Sequence, residues 1–334
     1  MLVVYDDLYS DHLRGIPHPE SPDRTQVVAA SLGERGYLDH LIPARDASDA
    51  EITRVHTSDY LQTVKREIHA LRGYAAYLST GDTLVDEHSL DAARRAAGGA
   101  LAAMEISTER NAPAFALIRP PGHHAESRRG MGFCVFNNAA IAARAFLNRH
   151  GGRVLIVDFD YHHGNGTQEL SGDGISYVST HAFPAYPGTG SADENYRRGS
   201  DLIANVPLPP HAFGTEPFVA LWEELLPRVA LTVKPNLIIA SAGYDYVAGD
   251  PVGDLGVDVV AADHLTSLIN RTAAEYCENR AIYLLEGGYE VAVLTESIRL
   301  TIERSDAGPR RIDADPSAFP GLPRSILNDW ASGR

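Results

Sequence analysis

Cysteine is almost absent: the 334 residues hold two, Cys134 and Cys277, far apart and in no CxxC pair. That excludes a disulfide framework and a thiolate zinc site, so any zinc here must be held by oxygen and nitrogen. Long apolar runs are missing as well, and nothing approaches the roughly 18 residues a membrane span needs. Basic residues are in deficit, 29 Lys and Arg against 44 Asp and Glu. The resulting net charge of −15 argues against a nucleic-acid surface; it is compatible with cationic small substrates, although solubility alone explains it more simply. The N-terminal MLVVYDDLYS has no basic region and meets acid by Asp6, so no secretory leader is expected and the expected compartment is the cytoplasm. No internal repeat or low-complexity tract occurs. At 44% hydrophobic and 22% charged residues, the chain can bury a large core and offers no linker to cut. One domain is expected over residues 1–305. A polar, proline-containing extension, 306–334, would pack on it or trail from it, with a helix-like piece at Ser325–Ser332.

Strand candidates are Leu2–Tyr5, Ala114–Ile118, Val154–Val157, Ile175–Ser179, Leu237–Ala240 and Ala281–Leu285. Helical spacing covers Thr25–Arg35, Ser58–Leu71 with Ser58 as N-cap, Ser89–Ser107, Asn137–Arg149, Glu216–Leu231 and Val257–Asn279. Gly98-Gly99 in the third of these permits close packing on a sheet. Alternation of this kind predicts right-handed βαβ units, hence an α/β fold with a parallel sheet covered on both faces. The segment from His181 to Gly214, rich in Pro and Gly, reads as a long loop that shapes a binding site. GIPHPESPDR, 15–24, reads as a rigid connection that could border a cleft with His18 and Glu20.

The chemistry collects at strand ends. VLIVDFDYHHGNG, 154–166, runs from a buried strand straight into Asp158, Asp160, His162 and His163. Along an extended chain side chains alternate, so Asp160 and His162 would share one side and Tyr161 and His163 the other. A carboxylate and an imidazole together make a metal half-site, although a buried ion pair explains the same residues. Ligands of open parallel sheets bind outside the carboxyl ends of the strands. Four further strand ends meet that test: Arg119-Pro-Pro-Gly-His-His-Ala-Glu126, Thr180-His181, Gly243-Tyr-Asp245 and Glu286-Gly-Gly-Tyr289. A metal on Asp160, His162 and Asp245 would have three protein ligands and an open position, as catalytic zinc does. It could lower the pKa of bound water from about 15.7 toward roughly 7. His123-His124 would supply the base. Asp158 and Asn165 are suited to hold the pair, because an aspartate keeps a histidine cationic and an asparagine fixes a tautomer without adding charge. Tyr289 could donate to a developing oxyanion, and Phe133 and Tyr186 could wall a narrow channel. Each of these residues has a packing explanation by itself; their common address at strand ends argues for a site.

RPPGHHAE (119–126), GFCVFNN (132–138), DFDYHHGNGTQ (158–168), PGTG (187–190), AGYDYVAGDPVG (242–253) and LEGGY (285–289) together resemble the histone deacetylase family. The likeness is to its class II-like branch, with bacterial histone-deacetylase-like amidohydrolases, acetylpolyamine amidohydrolases and acetoin-utilisation-type proteins. HPESPDR (18–24) also fits, and the motifs stand in the family's order. The resemblance implies the arginase/deacetylase fold, a single open, mostly parallel sheet of about eight strands flanked by helices. It implies a zinc-dependent amidohydrolase, its Zn2+ (or Fe2+) on Asp160, His162 and Asp245 and Tyr289 polarising the amide carbonyl. His124 would be the main general base and acid, with His123 as its electrostatic neighbour; Asp158 would pair with His123 and Asn165 with His124. Gly132 would offer its carbonyl to the substrate amide between walls formed by Phe133 and Tyr186. A structural K+ would take Asp158, Asp160, His162, Ser179 and Thr180. Some branches carry histidine in place of the tyrosine and act poorly on acetyl-lysine, so Tyr289 favours a competent enzyme.

The expected substrate is acetyl-lysine in peptides or proteins, the products acetate and a free amine. An acetylpolyamine is the alternative. A restricted acidic entrance would favour it, and Glu20 and Asp82 are the candidates there, but the long insertions that narrow the entrance of some polyamine-specific members have no equivalent. An arginase-like binuclear ureohydrolase needs more bridging aspartates, and a silent binding protein would have lost a ligand or Tyr289. No nucleic-acid or membrane partner is expected, and a homo-oligomer is compatible with this reading.

Overall fold

Val154–Val157, Leu237–Ala240 and Ala281–Leu285 are apolar on both faces, as strands covered on two sides must be, and they lie at the centre of the sheet. The computed structural model describes residues 1–39, 41–211 and 213–308; the expected extension beyond 308, with its helix at Ser325–Ser332, lies outside them. In chain order the strands are β1 (Leu2–Tyr5), β2 (Ile42–Pro43), β3 (Ala76–Tyr77), β4 (Leu84–Val85), β5 (Ala114–Ala116), β6 (Val154–Asp158), β7 (Ile175–Ala182), β8 (Tyr196–Arg198), β9 (Asp201–Leu208), β10 (Leu237–Ala242) and β11 (Ala281–Leu285). The helices are α1 (Asp23–Glu34), α2 (Asp49–Ile52), α3 (Ser58–Ala70), α4 (Ser89–Arg110), α5 (Asn138–His150), α6 (Asn165–Leu170), α7 (Thr215–Val233), α8 (Ala261–Tyr276) and α9 (Val291–Ala307).

Among the described residues one sheet has nine strands in the order β2-β1-β5-β11-β10-β6-β7-β9-β8, parallel except for β8, and β3 and β4 form a separate hairpin. Helices α4 and α5 pack together against one face, and α1, α7, α8 and α9 form a second group, with α8 on β10 and β11. The chain therefore has the layered α/β architecture expected, with one strand more than expected. Three of the nine, β2, β8 and β9, are absent from the strand candidates, and β8 and β9 lie in the predicted loop 181–214. Its prolines concealed Leu202–Val206, all buried. Pro207 is tolerated because β8 pairs only with Asp201–Ile203, leaving the far end of β9 as an edge. Helices α2, α6 and α9 were also not expected. Thr57, not Ser58, caps α3, accepting the Tyr60 N–H at 3.2 Å. Gly98 packs on the 45–47 segment, where a Cβ would meet Arg45 O at 1.6 Å, whereas Gly99 abuts Ile118, two residues past β5. No helix among the described residues is long and apolar enough to cross a membrane.

Two buried devices set the loops at the carboxyl edge. In the first, Glu20 lies fully buried between two guanidinium groups, with Oε1 accepting from Arg119 Nε at 2.7 Å and Arg24 Nη1 at 2.9 Å. Burial alone would raise its pKa, but Arg119, His12 and Arg24 hold the carboxyl well below its usual range. Arg119 also donates to the carbonyls of Tyr9 and His12, and Arg24 to those of Gly288 and Glu286. The GIPHPESPDR segment is thus bolted to the ends of β5 and β11, and Glu20 is not at any entrance. In the second, His56 Nε2 accepts the Asn137 N–H at 2.9 Å, so its Nδ1 carries the proton toward Glu126 O, also at 2.9 Å. This holds the loop 119–137 against the connection between α2 and α3.

Replacing Glu20 by Gln leaves two buried guanidinium groups short of their counter-charge, and the expected loss is roughly 3–5 kcal/mol in urea unfolding; a loss below about 1 kcal/mol would contradict the assigned role. His56 predicts a pH effect. Burial pushes its pKa from 6.5 down to about 4. The unfolded chain therefore binds a proton first as pH falls, and stability present above pH 6.5 is lost toward pH 4, by roughly 3 kcal/mol for this group. The unfolding free energy of His56→Asn should be flatter by about that amount across the same window; an unchanged slope would assign the titration elsewhere.

Candidate active site

Adjacent parallel strands bring the site together. In register, Asp158 at the end of β6 lies beside Ser179 of β7 and Ser241 of β10. The chain leaves β6 after Asp158, so the 159–164 segment is not extended and the expected alternation fails there. Tyr161 and His162 both line one cavity, while His163 turns into a separate network with Thr189 Oγ1 at 2.7 Å and Gln168 Oε1 at 3.1 Å. That cavity, about 380 Å³, is lined by Asp82, His124, Gly132, Phe133, Tyr161, His162, Ala185, Tyr186, Val252 and Tyr289.

Beside the cavity, His162 Nδ1 lies 3.1 Å from Asp160 Oδ1 and 3.0 Å from Asp245 Oδ2. Among the described residues these three side chains form the one cluster able to hold a metal ion, their donor atoms all within 4.8 Å of one another. The surroundings fit a cation. Asp245 Oδ2 is buried, and among the described residues His162 Nδ1, which it shares with Asp160, is the one donor near it. A Cβ at Gly287 would lie 2.3 Å from that oxygen and 2.6 Å from Asp160 Oδ2, so only glycine leaves the donors their room. The remaining carboxylate oxygens are held by main-chain donors: Tyr161 N–H to Asp245 Oδ1 at 2.9 Å, and Gly287 N–H to Asp160 Oδ2 at 2.7 Å. Burial disfavours a charged His162, yet Asp160 and Asp245 overcome it and push the imidazole up to about 9. Burial and the neighbouring Asp160 push Asp245 upward. An ion taking the place of the Nδ1 proton would relieve both effects.

The histidine pair is split in charge. His123 Nδ1 lies 3.1 Å from Asp158 Oδ2, and Asp160 and Asp158 outweigh burial to push its pKa up to about 10. His124 Nδ1 lies 2.8 Å from Asn165 Oδ1. Asn165 Nδ2 donates to Glu126 Oε1 at 2.8 Å, which turns the amide oxygen toward His124 and assigns the proton to its Nδ1. Burial, then the cationic His123 and His162, hold His124 well below its ordinary value, so it is neutral with a free Nε2. Burial likewise keeps the Tyr289 phenol protonated. Phe133 occupies the left-handed region at φ +70°, uncommon for a bulky residue, after Gly132 at φ +55°. Asp82 holds this turn by accepting the Gly132 N–H at 3.0 Å and reaches across to accept the Tyr186 hydroxyl at 3.0 Å. His18 packs edge-on against Phe133 at 4.7 Å, so the GIPHPESPDR segment supports a wall of the cavity from behind and supplies no lining residue itself.

Of the residues expected at the site, His124, Gly132, Phe133, Tyr186, His162 and Tyr289 line the cavity, with Asp160 and Asp245 behind it and His123, Asp158 and Asn165 one layer out. Ser179 and Thr180 lie buried on β7; Ser179 Oγ is 2.8 Å from His181 Nδ1, and Thr180 Oγ1 is without a partner. Sequence reasoning passed over Tyr161, Ala185 and Val252 as lining, and Glu286, whose Oε2 accepts the N–H groups of Gly122 and His123 at 2.6 and 3.0 Å. A buried acid directly before Gly287-Gly288 was the available signal. A divalent transition metal added to metal-stripped protein is expected to raise Tm, since ions that bind only the folded state stabilise it. Asp245→Asn should abolish that rise; an undiminished rise would place the metal elsewhere.

The histone deacetylase domain model matches residues 18–304. Histone deacetylase 15 of Arabidopsis thaliana is 37% identical over 297 residues, covering 86% of this chain and 52% of its own length, so the chain spans about half of that relative. A probable deacetylase of Archaeoglobus fulgidus is 34% identical, covering 86% of this chain and 81% of that protein. The crystal structure of the HDA15 HD domain superposes with a TM-score of 0.85 at 33% identity over 100% of this chain and 96% of that one. Matched over most of its length in sequence and architecture alike, the chain belongs to the histone deacetylase family and has its arginase/deacetylase fold.

Proposed function

We propose that the protein is a zinc-dependent deacetylase of acetyl-lysine in peptides or proteins. The observation that carries this reading is the convergence on one cavity of a three-donor Asp160/His162/Asp245 cluster, a neutral His124 with a free Nε2, and a protonated Tyr289. Zn2+ held by those three donors, with Fe2+ as its substitute, supplies Lewis acidity toward water and the acetyl carbonyl. The chain's own residues do the rest. Phe133 and Tyr186 flank the acyl-lysine stem and shed water from it, and the Gly132 carbonyl accepts the substrate amide N–H. Tyr289 donates its hydroxyl proton in a hydrogen bond to the carbonyl oxygen as negative charge develops there. His124 Nε2 takes a proton from the attacking water and passes it to the leaving amine, while Asn165 keeps Nδ1–H in place. His123, cationic on Asp158, holds down the basicity of His124 so that it enters the cycle neutral. Acetate and the free amine result. A structural K+ on Asp158, Asp160, His162, Ser179 and Thr180 belongs to the same proposal; the register that sets Asp158 beside Ser179 supports it.

Acetyl-lysine is favoured over a free acetylpolyamine because Asp82 is the one carboxylate lining the described cavity, and it already serves the Gly132 N–H and the Tyr186 hydroxyl. A second ammonium would find little surplus negative charge there. Metal-stripped protein titrated with Zn2+ should regain hydrolysis of an acetyl-lysine peptide, and far less of acetylputrescine; activity confined to acetylputrescine would overturn the substrate assignment. Tyr289→Phe should lose about 100-fold or more in kcat, the scale of one lost oxyanion donor, with metal content unchanged. Near-normal turnover in that variant would remove Tyr289 from the mechanism.

A further inference from the structure

Asp250 stands inside AGYDYVAGDPVG, yet no step above uses it. Its buried carboxylate accepts four backbone N–H groups. Oδ2 takes those of Tyr289 at 2.6 Å and Glu290 at 3.0 Å; Oδ1 takes those of Val252 at 2.9 Å and Gly253 at 3.1 Å. These four bonds fill the acceptor sites of an ionised carboxylate. One oxygen grips the main chain at the tyrosine that faces the cavity. The other grips the loop that supplies Val252 to the lining and descends from the donor Asp245.

Tyr289 needs a grip of this kind. It follows Gly287 and Gly288, the latter at φ +114°, two residues with no side chain to restrict the backbone, so its course depends on outside contacts. Arg24 holds the stretch from one side, binding the carbonyls of Glu286 and Gly288 and lying over the Tyr289 ring at 4.7 Å. Asp250 holds it from the other, through N–H groups of Tyr289 itself and of Glu290, the N-cap of α9. The loop it is tied to is closely packed: a Cβ at Gly253 would meet Asp245 O at 2.5 Å, so that turn folds directly onto Asp245.

We propose that Asp250 is the positioning residue of Tyr289, clamping its backbone to the Asp245 loop so that phenol and metal donors face the acyl carbonyl at a set separation. The inference rests on the role proposed above for Tyr289. Asp250→Asn keeps the shape but turns an NH2 group toward two N–H donors, breaking two of the four bonds. Its kcat should fall between about 10- and 100-fold, the usual consequence of a misplacement near 1 Å, with KM within about threefold. In a Tyr289→Phe background the same change should cost less than about threefold, because the hydroxyl it positions is gone. Independent, multiplicative losses would overturn the proposal. A second readout does not need turnover: amide hydrogen exchange at 287–291 and 251–253 should quicken in Asp250→Asn while β11 stays protected. Unchanged exchange there, or quickening spread across the sheet, would also overturn it. If wild-type protein hydrolyses neither substrate, that counts against the proposed function, and the exchange data still decide on Asp250. Should Asp250→Asn prove too unstable to purify, Asp250→Ser, which removes the acceptors without the opposed NH2, is read in the same way.

Discussion

Two carboxylates in a dry pocket repel one another, and Asp160 and Asp245 are both fully buried beside the same imidazole. Burial and mutual repulsion push Asp245 upward, and the pair draws His162 up to about 9. Such crowding persists only where the fold enforces it. Here the enforcement is main-chain: N–H groups of Tyr161 and Gly287 hold the outer oxygens, and the absent side chains of Gly243 and Gly287 leave room for them. A cation is the group that removes the repulsion, so the local architecture is arranged around a charge of the opposite sign.

The same constraint spreads outward. Asp160 also lies 3.8 Å from His123 Nε2, so the negative charge that suits a metal helps Asp158 keep His123 cationic. That cation, with His162, depresses His124, and two histidines adjacent in the chain end in opposite protonation states. Further out, Glu20 balances Arg24 and Arg119, and those two guanidinium groups fasten the carbonyls of Tyr9, His12, Glu286 and Gly288. A buried ion cluster of this size adds little net stability. Its effect is positional, fixing loops that arise from distant parts of the chain at one edge of the sheet.

Elements whose pattern is local are legible in the sequence alone. β6, β10 and β11 are apolar on both faces and bounded by glycine or charge, and α4 and α5 carry long alanine-rich faces, so each is placed to within a few residues. Elements whose pattern is diluted are not: β9 sits in a proline-rich stretch and becomes a strand because β7 offers it an edge. The bend after Asp158 similarly overrides the alternation expected of an extended chain, sending His163 away from the cavity and Tyr161 into it. Glu20 reads as a rim acid because nothing in HPESPDR announces that its own Arg24 and the distant Arg119 bury it.

Which chemistry is available can be read from local sequence. Asp160 and His162 stand two residues apart at a strand end, and His123-His124, Asp245 and Tyr289 follow other predicted strands. Chemical type and strand-end address are properties that local sequence encodes. Which of these groups meet, and in what charge state, depends on how remote segments pack. Parallel register set Asp158 beside Ser179. Asn165, oriented by Glu126, chose the tautomer of His124, and Asp250 tied the Tyr289 backbone to the Asp245 loop. These outcomes depend on distances and desolvation between segments remote in the chain, which no local pattern of residues specifies.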